Sequence, residues 1–106
     1  MAWLYLFSAG ILEIVWAFTM KLSDGFTRPT PTAITIVTMI GSFALLSLAM
    51  RSLPLGTAYT IWTGIGAVGA FLVGIVWLGE AVSATRIAAA LLIVGGLILM
   101  KLSSPA

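Results

Sequence analysis

The sequence predicts an all-α membrane protein with four transmembrane helices. Three observations carry that expectation. Of 106 residues, 61% are hydrophobic and 8% are charged, against about 25% charged in an ordinary soluble domain, so too little charge is present to cover a water-facing surface. The apolar residues fall into four runs, each near the ~20 residues that cross a hydrocarbon core. Between the runs stand Gly, Pro, Ser and Asp, which favour turns and helix ends.

The runs occupy about residues 3–20, 31–50, 55–78 and 86–100, and together form one transmembrane domain expected over residues 1–106. The first, WLYLFSAGILEIVWAFTM, carries one charge, Glu13. Ser23, Asp24 and Gly25 stop it, because Gly tolerates the left-handed conformation of a helix end. Thr30 followed by Pro31 is the expected start of the second, as an N-cap with Pro at the first helical position. Arg51-Ser52-Leu53-Pro54 separates the second and third runs, and Gly79 to Ser83 the third and fourth, with Ser83 the expected N-cap. The fourth run is the shortest, so its ends belong near the headgroups. The N-terminal run is too long for a secretory signal, has no Lys or Arg before it and is followed by no clear cleavage site.

Connections this short make successive helices antiparallel. Arg51 and Lys101 then lie on the side of the N-terminus, and Lys21, Arg28 and Arg86 on the other. So even a distribution of Lys and Arg gives almost no orienting signal. Loosely defined loop edges would account for it, and so would insertion in both orientations. A single pair of helical hairpins also offers little interior in which to shield an acid from lipid, so an oligomer is expected.

Glu13 is the chemically informative residue. It lies ten residues past Trp3, about 15 Å along a helix at ~1.5 Å per residue, near the middle of a ~30 Å core. An acid there is costly and marks a polar cavity, an ion path or a proton relay. Gly10, Glu13, Trp16 and Ala17 share one helical face through spacings of three and four. Gly10 is expected to leave space one turn before the carboxylate, and Trp16 to set an indole face one turn after it, the best cation–π surface among the side chains. Ser42 lies at similar depth on the second helix, placed to donate a hydrogen bond to the carboxylate. Tyr59 and Trp62, three residues apart on the third, are expected to complete an aromatic box. Desolvation disfavours the charged carboxylate and a bound cation reverses that preference. Proton and cation therefore compete for one group, and a site open alternately to the two sides would run proton-coupled antiport.

Other classes fall away. The chain has no Cys and no His, which removes disulfides, thiol chemistry, haem and the usual zinc ligands; no metal and no cofactor are expected. Basic residues are scattered singly, so no nucleic-acid partner is expected. Gly64-Ile65-Gly66-Ala67-Val68-Gly69 matches the dinucleotide fingerprint literally, but it sits inside an apolar span, with no acid about twenty residues on. Its glycines suit close helix approach or a bend. Ala89 and Gly96, seven apart on the fourth helix, are the expected dimer-packing face. Trp3 and Trp77 suit interfacial anchors. Asp24, Arg28, Glu80 and Arg86 are expected as solvated or headgroup-level charges. A transporter is expected rather than an enzyme, and a non-transporting subunit of a larger complex is disfavoured because a scaffold needs no central acid.

The run Glu13-Ile-Val-Trp-Ala, the loop Ser23-Asp24-Gly25-Phe26-Thr27-Arg28, and Leu53-Pro54-Leu55-Gly56-Thr57-Ala58-Tyr59 followed by Ile61-Trp62-Thr63-Gly64-Ile65-Gly66 resemble the small multidrug resistance family over nearly the whole chain. Within it, Gly10, Trp16 and Lys101 are similar to the guanidinium exporter branch; quaternary-ammonium exporters typically carry Gly at the place of Trp16. The resemblance implies an antiparallel, dual-topology homodimer in the bacterial inner membrane. It also implies a pocket shared by both copies of Glu13, which binds guanidinium-type cations and protons, with Ser42 orienting Glu13 and Trp16, Tyr59 and Trp62 as walls. Thr60 stands where the branch commonly shows Ala, which marks it as a selectivity modifier admitting hydrophobic substituted guanidines. The alternative in the same family is a promiscuous exporter of quaternary ammonium and other hydrophobic cations.

Overall fold

A computed structural model describes residues 1–103. Among them the elements are four helices: α1 (Ala2–Leu22), α2 (Pro29–Ala49), α3 (Leu55–Leu78) and α4 (Ala84–Ser103). They hold 21, 21, 24 and 20 residues, so each is ~30 Å or longer at ~1.5 Å per residue and long enough to span a bilayer. The helices exceed the expected spans at most ends, and α3 coincides with its own.

The second helix begins two residues earlier than expected. Pro29 takes the first helical position and Arg28, with φ −97° and ψ 121°, is its extended N-cap. Both Pro29 and Pro31 fit the first turn, where a missing N–H costs nothing. Elsewhere the turn chemistry matches. Gly79 closes α3 in the left-handed region at φ 68°, and Glu80 N–H donates to Gly74 O at 3.0 Å. Ser83 Oγ accepts the Arg86 N–H at 3.2 Å, capping α4.

The loop after α1 is wound tightly about Ser23. Its hydroxyl donates to Met20 O at 2.6 Å and accepts the Phe26 N–H at 3.1 Å. Its carbonyl accepts the N–H groups of Thr27 and Arg28 at 2.9 and 3.1 Å. These bonds hold Asp24, Gly25 and Phe26 at φ 50°, 71° and 66°. Glycine enters that region freely, while each L-residue there costs about 1–2 kcal/mol. The loop thus fixes the exit of α1 and the entry of α2.

The helices make a slab, not a closed bundle. α1 packs on both α2 and α3, and α4 packs on α3, within Cα extents of 42 × 34 × 16 Å. Among the described residues, the buried polar ones all carry hydroxyls. Thr19 of α1 and Thr35 of α2 meet at 2.7 Å, Ser23 holds the loop, and Ser42 is bonded to both neighbouring helices. Among the described residues, α4 buries none of its own. α1 is therefore the central stave, and Glu13 projects from the most heavily packed helix.

Candidate functional site

Glu13 lies against α3. A Cβ built on buried Gly66 would overlap the Cδ and Oε1 of Glu13, so glycine is what lets the carboxyl group rest on the α3 backbone. The neighbouring glycines of the same apolar run act likewise: Gly69 receives the Ile14 side chain of α1, and Gly64 receives Leu97 of α4. The fingerprint-like spacing is thus three notches for side chains of packed helices, as close approach between membrane helices demands.

Gly10 does not provide open space. A Cβ there would lie 2.7 Å from Ile65 Cγ2, so the room one turn before Glu13 is filled by α3. Small size at this position serves helix packing. Spacing along α1 identifies the face but not which neighbour fills it.

Ser42 is fully buried, and its bonds differ from the expected one to Glu13. The hydroxyl donates to Ala9 O at 2.7 Å and accepts the Trp62 Nε1–H at 3.0 Å. Its single proton is therefore committed to α1, and the residue orients Trp62. The indole, 7% exposed, is locked at the junction of α1, α2 and α3.

The aromatic residues form a row. Tyr59 and Trp62 stand 5.6 Å apart between ring centroids, Trp62 and Phe43 5.7 Å, and Phe43 and Trp16 6.3 Å, the last pair edge to face. Phe43 links the two tryptophans, and no spacing in the sequence marks it. It follows Ser42 directly, so it points about 100° away from the face that spacing singles out. Tyr59, at the end of the row, is 53% exposed. Thr60 is exposed and borders an apolar groove between α3 and α4, with Tyr59, Thr63 and Gly96. It thus lies next to Tyr59 on the lining of this groove.

Two polar atoms of this region are buried with no hydrogen-bond partner, Glu13 Oε1 and Trp16 Nε1. Buried polar atoms are paired in the large majority of cases, so an unmatched acceptor and an unmatched donor one turn apart on α1 are a marked departure. The acceptor suits an N–H-bearing cation. The donor needs an acceptor that a cation does not offer.

Ala89 and Gly96 both border the α3/α4 grooves. Leu92, Gly95 and Leu99 of α4 are also exposed, Leu92 sharing a face with Ala89 and Gly96 through spacings of three and four. Lys101 extends its Nζ over the Trp3 ring, 4.6 Å from the centroid, the expected snorkelling position at a span end.

Comparison with known proteins decides the family. The model of the family described as Small Multidrug Resistance protein matches residues 1–93. The chain belongs to the small multidrug resistance family. Its relatives include proteins named guanidinium exporter from Citrobacter freundii and Salmonella typhimurium, each 57% identical over 104 residues, covering 98% of this chain and 99% of the relative. The protein of that name from Escherichia coli K12 is 56% identical over the same coverage. This small multidrug resistance protein is accordingly a multi-pass membrane transporter, in keeping with four helices able to span the bilayer.

Proposed function

We propose that the protein exports guanidinium and small substituted guanidinium cations across the inner membrane in exchange for protons, as an antiparallel dual-topology homodimer. The observation that carries this is the buried, unpartnered Glu13 Oε1, one helical turn from Trp16, where a row of aromatic rings begins. Guanidinium is planar, permanently charged and rich in in-plane N–H donors, so a carboxylate takes its edge while rings flank its faces. Proteins named guanidinium exporter, similar over nearly the whole chain, support the substrate class.

The second copy answers the unmatched donor. Trp16 Nε1–H needs an acceptor, and a second Glu13 facing the first supplies carboxylate oxygens. A slab whose Cα extent is 16 Å in its thin direction has little interior of its own, and a second slab laid against it encloses a cavity. The small-residue face of α4, with Ala89 and Gly96 bordering the open grooves beside α3, is the surface we assign to the contact between copies.

Proton coupling follows from one group serving two ligands. Glu13 in a water-poor site is stable either protonated or paired with a cation. Loading one expels the other, and alternate opening converts a proton gradient into cation export. Gly66 sets the carboxyl position, and Ser42 fixes the Trp62 wall.

The test is guanidinium flux in proteoliposomes under an imposed proton gradient. Gradient-driven uptake by the wild type, lost in Glu13→Gln, is the expected result. No coupled flux, or full flux in Glu13→Gln, contradicts the proposal. One observation favours a broader second range: the apolar groove of about 520 Å³ beside Tyr59 and Thr60 suits hydrophobic substituents. Quaternary ammonium transport without guanidinium transport would replace guanidinium export by multidrug export.

A further inference from the structure

A cavity between α1 and α3 carries a guanidinium group of the protein's own. It measures about 360 Å³ and opens where both helices finish and α4 begins. At its mouth Arg86, from the first turn of α4, lays its guanidinium on the Phe71 ring, 5.4 Å from the centroid. That is within the ~6 Å of a cation–π contact. Its bond to Ala81 O, at 3.4 Å, is long for an N–H donor. Arg86 is exposed, so its side chain can leave the ring for water or headgroups.

Glu80 stands beside that ring. Its carboxyl group folds back onto buried Gly74, where a Cβ would overlap Glu80 Oε1. Gly74 and Phe71 are three apart on α3 and so are neighbours on its surface. A carboxylate one helical turn from an aromatic face is also what Glu13 and Trp16 present, three apart on α1. The cavity reaches inward as well. Its lining includes Ala17, one turn beyond Glu13 on α1, and Ala67 and Ala70, just beyond Gly66, on which Glu13 rests. From Gly66 to Gly74 is about 12 Å at ~1.5 Å per residue. The cavity therefore spans most of the depth between Glu13 and the helix ends, with alanines at its inner end.

We propose that Phe71 and Glu80 form an outer guanidinium site at this mouth, with Arg86 as the resident occupant that a guanidinium-type cation displaces. The ligand class rests on the export reading above; the place rests on the ring, the carboxylate and the guanidinium already there. The ring takes the face of the cation and the carboxylate its N–H edge. Exchanging one guanidinium for another leaves the charge beside the ring unchanged, so Lys21, which also lines the cavity, opposes the newcomer no more than it opposes Arg86. Competition from Arg86 keeps the site weak, which suits a site from which the cation must move on to Glu13. At saturating guanidinium the rate of exchange is still set at Glu13. In an antiparallel pair the two mouths face opposite sides of the membrane, one for each direction of opening.

The experiment uses the full chain carrying Glu13→Gln, in detergent micelles, so that the central carboxylate is gone and the outer site is read alone. Isotope-labelled phenylalanine rings are followed by NMR during titration with guanidinium chloride, and Phe71→Leu identifies the Phe71 signal. Guanidinium is expected to shift that signal saturably, and potassium chloride at equal concentration to leave it in place. Adding Arg86→Gln frees the ring and tightens guanidinium binding about five- to tenfold, as removal of a competitor that holds the site most of the time requires. Adding Glu80→Gln instead weakens it about three- to fivefold. Arg28→Gln, losing an arginine on the same side but outside the cavity, titrates as its parent does. Should Arg86→Gln fold poorly, the Glu80→Gln titration decides. No saturable shift at Phe71, an equal shift with potassium, or an unchanged affinity in Glu80→Gln overturns the assignment. A Phe71 response with no gradient-driven uptake by the wild type would retain the outer site and remove the export reading; uptake with no Phe71 response would do the reverse.

Discussion

Two carboxylates of this protein rest on glycines of the same helix, and their surroundings could hardly differ more. Glu13 lies on Gly66 in mid-membrane, and Glu80 lies on Gly74 about 12 Å further along α3 at ~1.5 Å per residue. One turn from Glu13 stands Trp16, the start of the row that runs through Phe43 to Trp62, and the basic residue of α1, Lys21, lies in its last turn. Around Glu80 stand Lys21 and Arg86. The glycine notch holds both carboxyl groups against backbone; depth and neighbours decide what they do. In a water-poor aromatic setting a bare carboxylate is unstable, and must take up a proton or a cation. At the helix ends a carboxyl group meets headgroups and water and shares its cavity with Lys21 and Arg86.

The comparison breaks most visibly if the two acids are exchanged for amides. Glu13→Gln is expected to abolish gradient-driven guanidinium uptake, while Glu80→Gln keeps turnover; flux assays on both variants check this. Moving the carboxyl groups instead of deleting them gives a smaller, more informative contrast. Gly66→Ala displaces the carboxyl end of Glu13, a flexible side chain, so the helices still pack while uptake falls about ten- to hundredfold. Gly74→Ala displaces Glu80 in the same way and leaves uptake near the wild-type value.

The pH dependence separates the sites next. Protons and cations compete at Glu13, so lowering the pH raises the apparent guanidinium KM, by up to about tenfold per pH unit if one proton is displaced per cation. Raising the pH lowers it. Glu80→Gln should not alter that slope.

The smallest effects concern the frame around Glu13. Ser42→Ala leaves the Trp62 indole N–H buried without an acceptor, a cost of about 1–3 kcal/mol seen as a lower unfolding temperature. Thr35→Val removes one hydroxyl of the Thr19–Thr35 pair. Thr19 keeps Val15 O as its acceptor at 3.1 Å, so the loss stays below about 1 kcal/mol.

Much of this was legible in the chain itself. Four helices followed from apolar runs and turn residues, since membrane thickness fixes span length. Gly79 and Ser83 announced their helix ends because capping is local chemistry. The depth of Glu13 and its shared face with Trp16 followed from helical geometry alone. What spacing within one helix does not fix is its rotation relative to its neighbours. Ser42 shares the depth of Glu13, yet α2 is turned so that its hydroxyl meets Ala9 and Trp62. Gly10 looked like pocket space and is occupied by Ile65. Phe43 lay off the chosen face and bridges the tryptophans. Gly66 belonged to a run of small residues, with nothing local to mark it as the rest for Glu13.

The central claim is that Glu13 holds either a proton or a guanidinium. Proton release on guanidinium binding tests it most directly, measured in weakly buffered micelles with a pH indicator. Wild-type protein is expected to release protons to the medium as guanidinium saturates it, and Glu13→Gln to release none. Saturable binding by the wild type with no proton release, at every pH, would contradict the account.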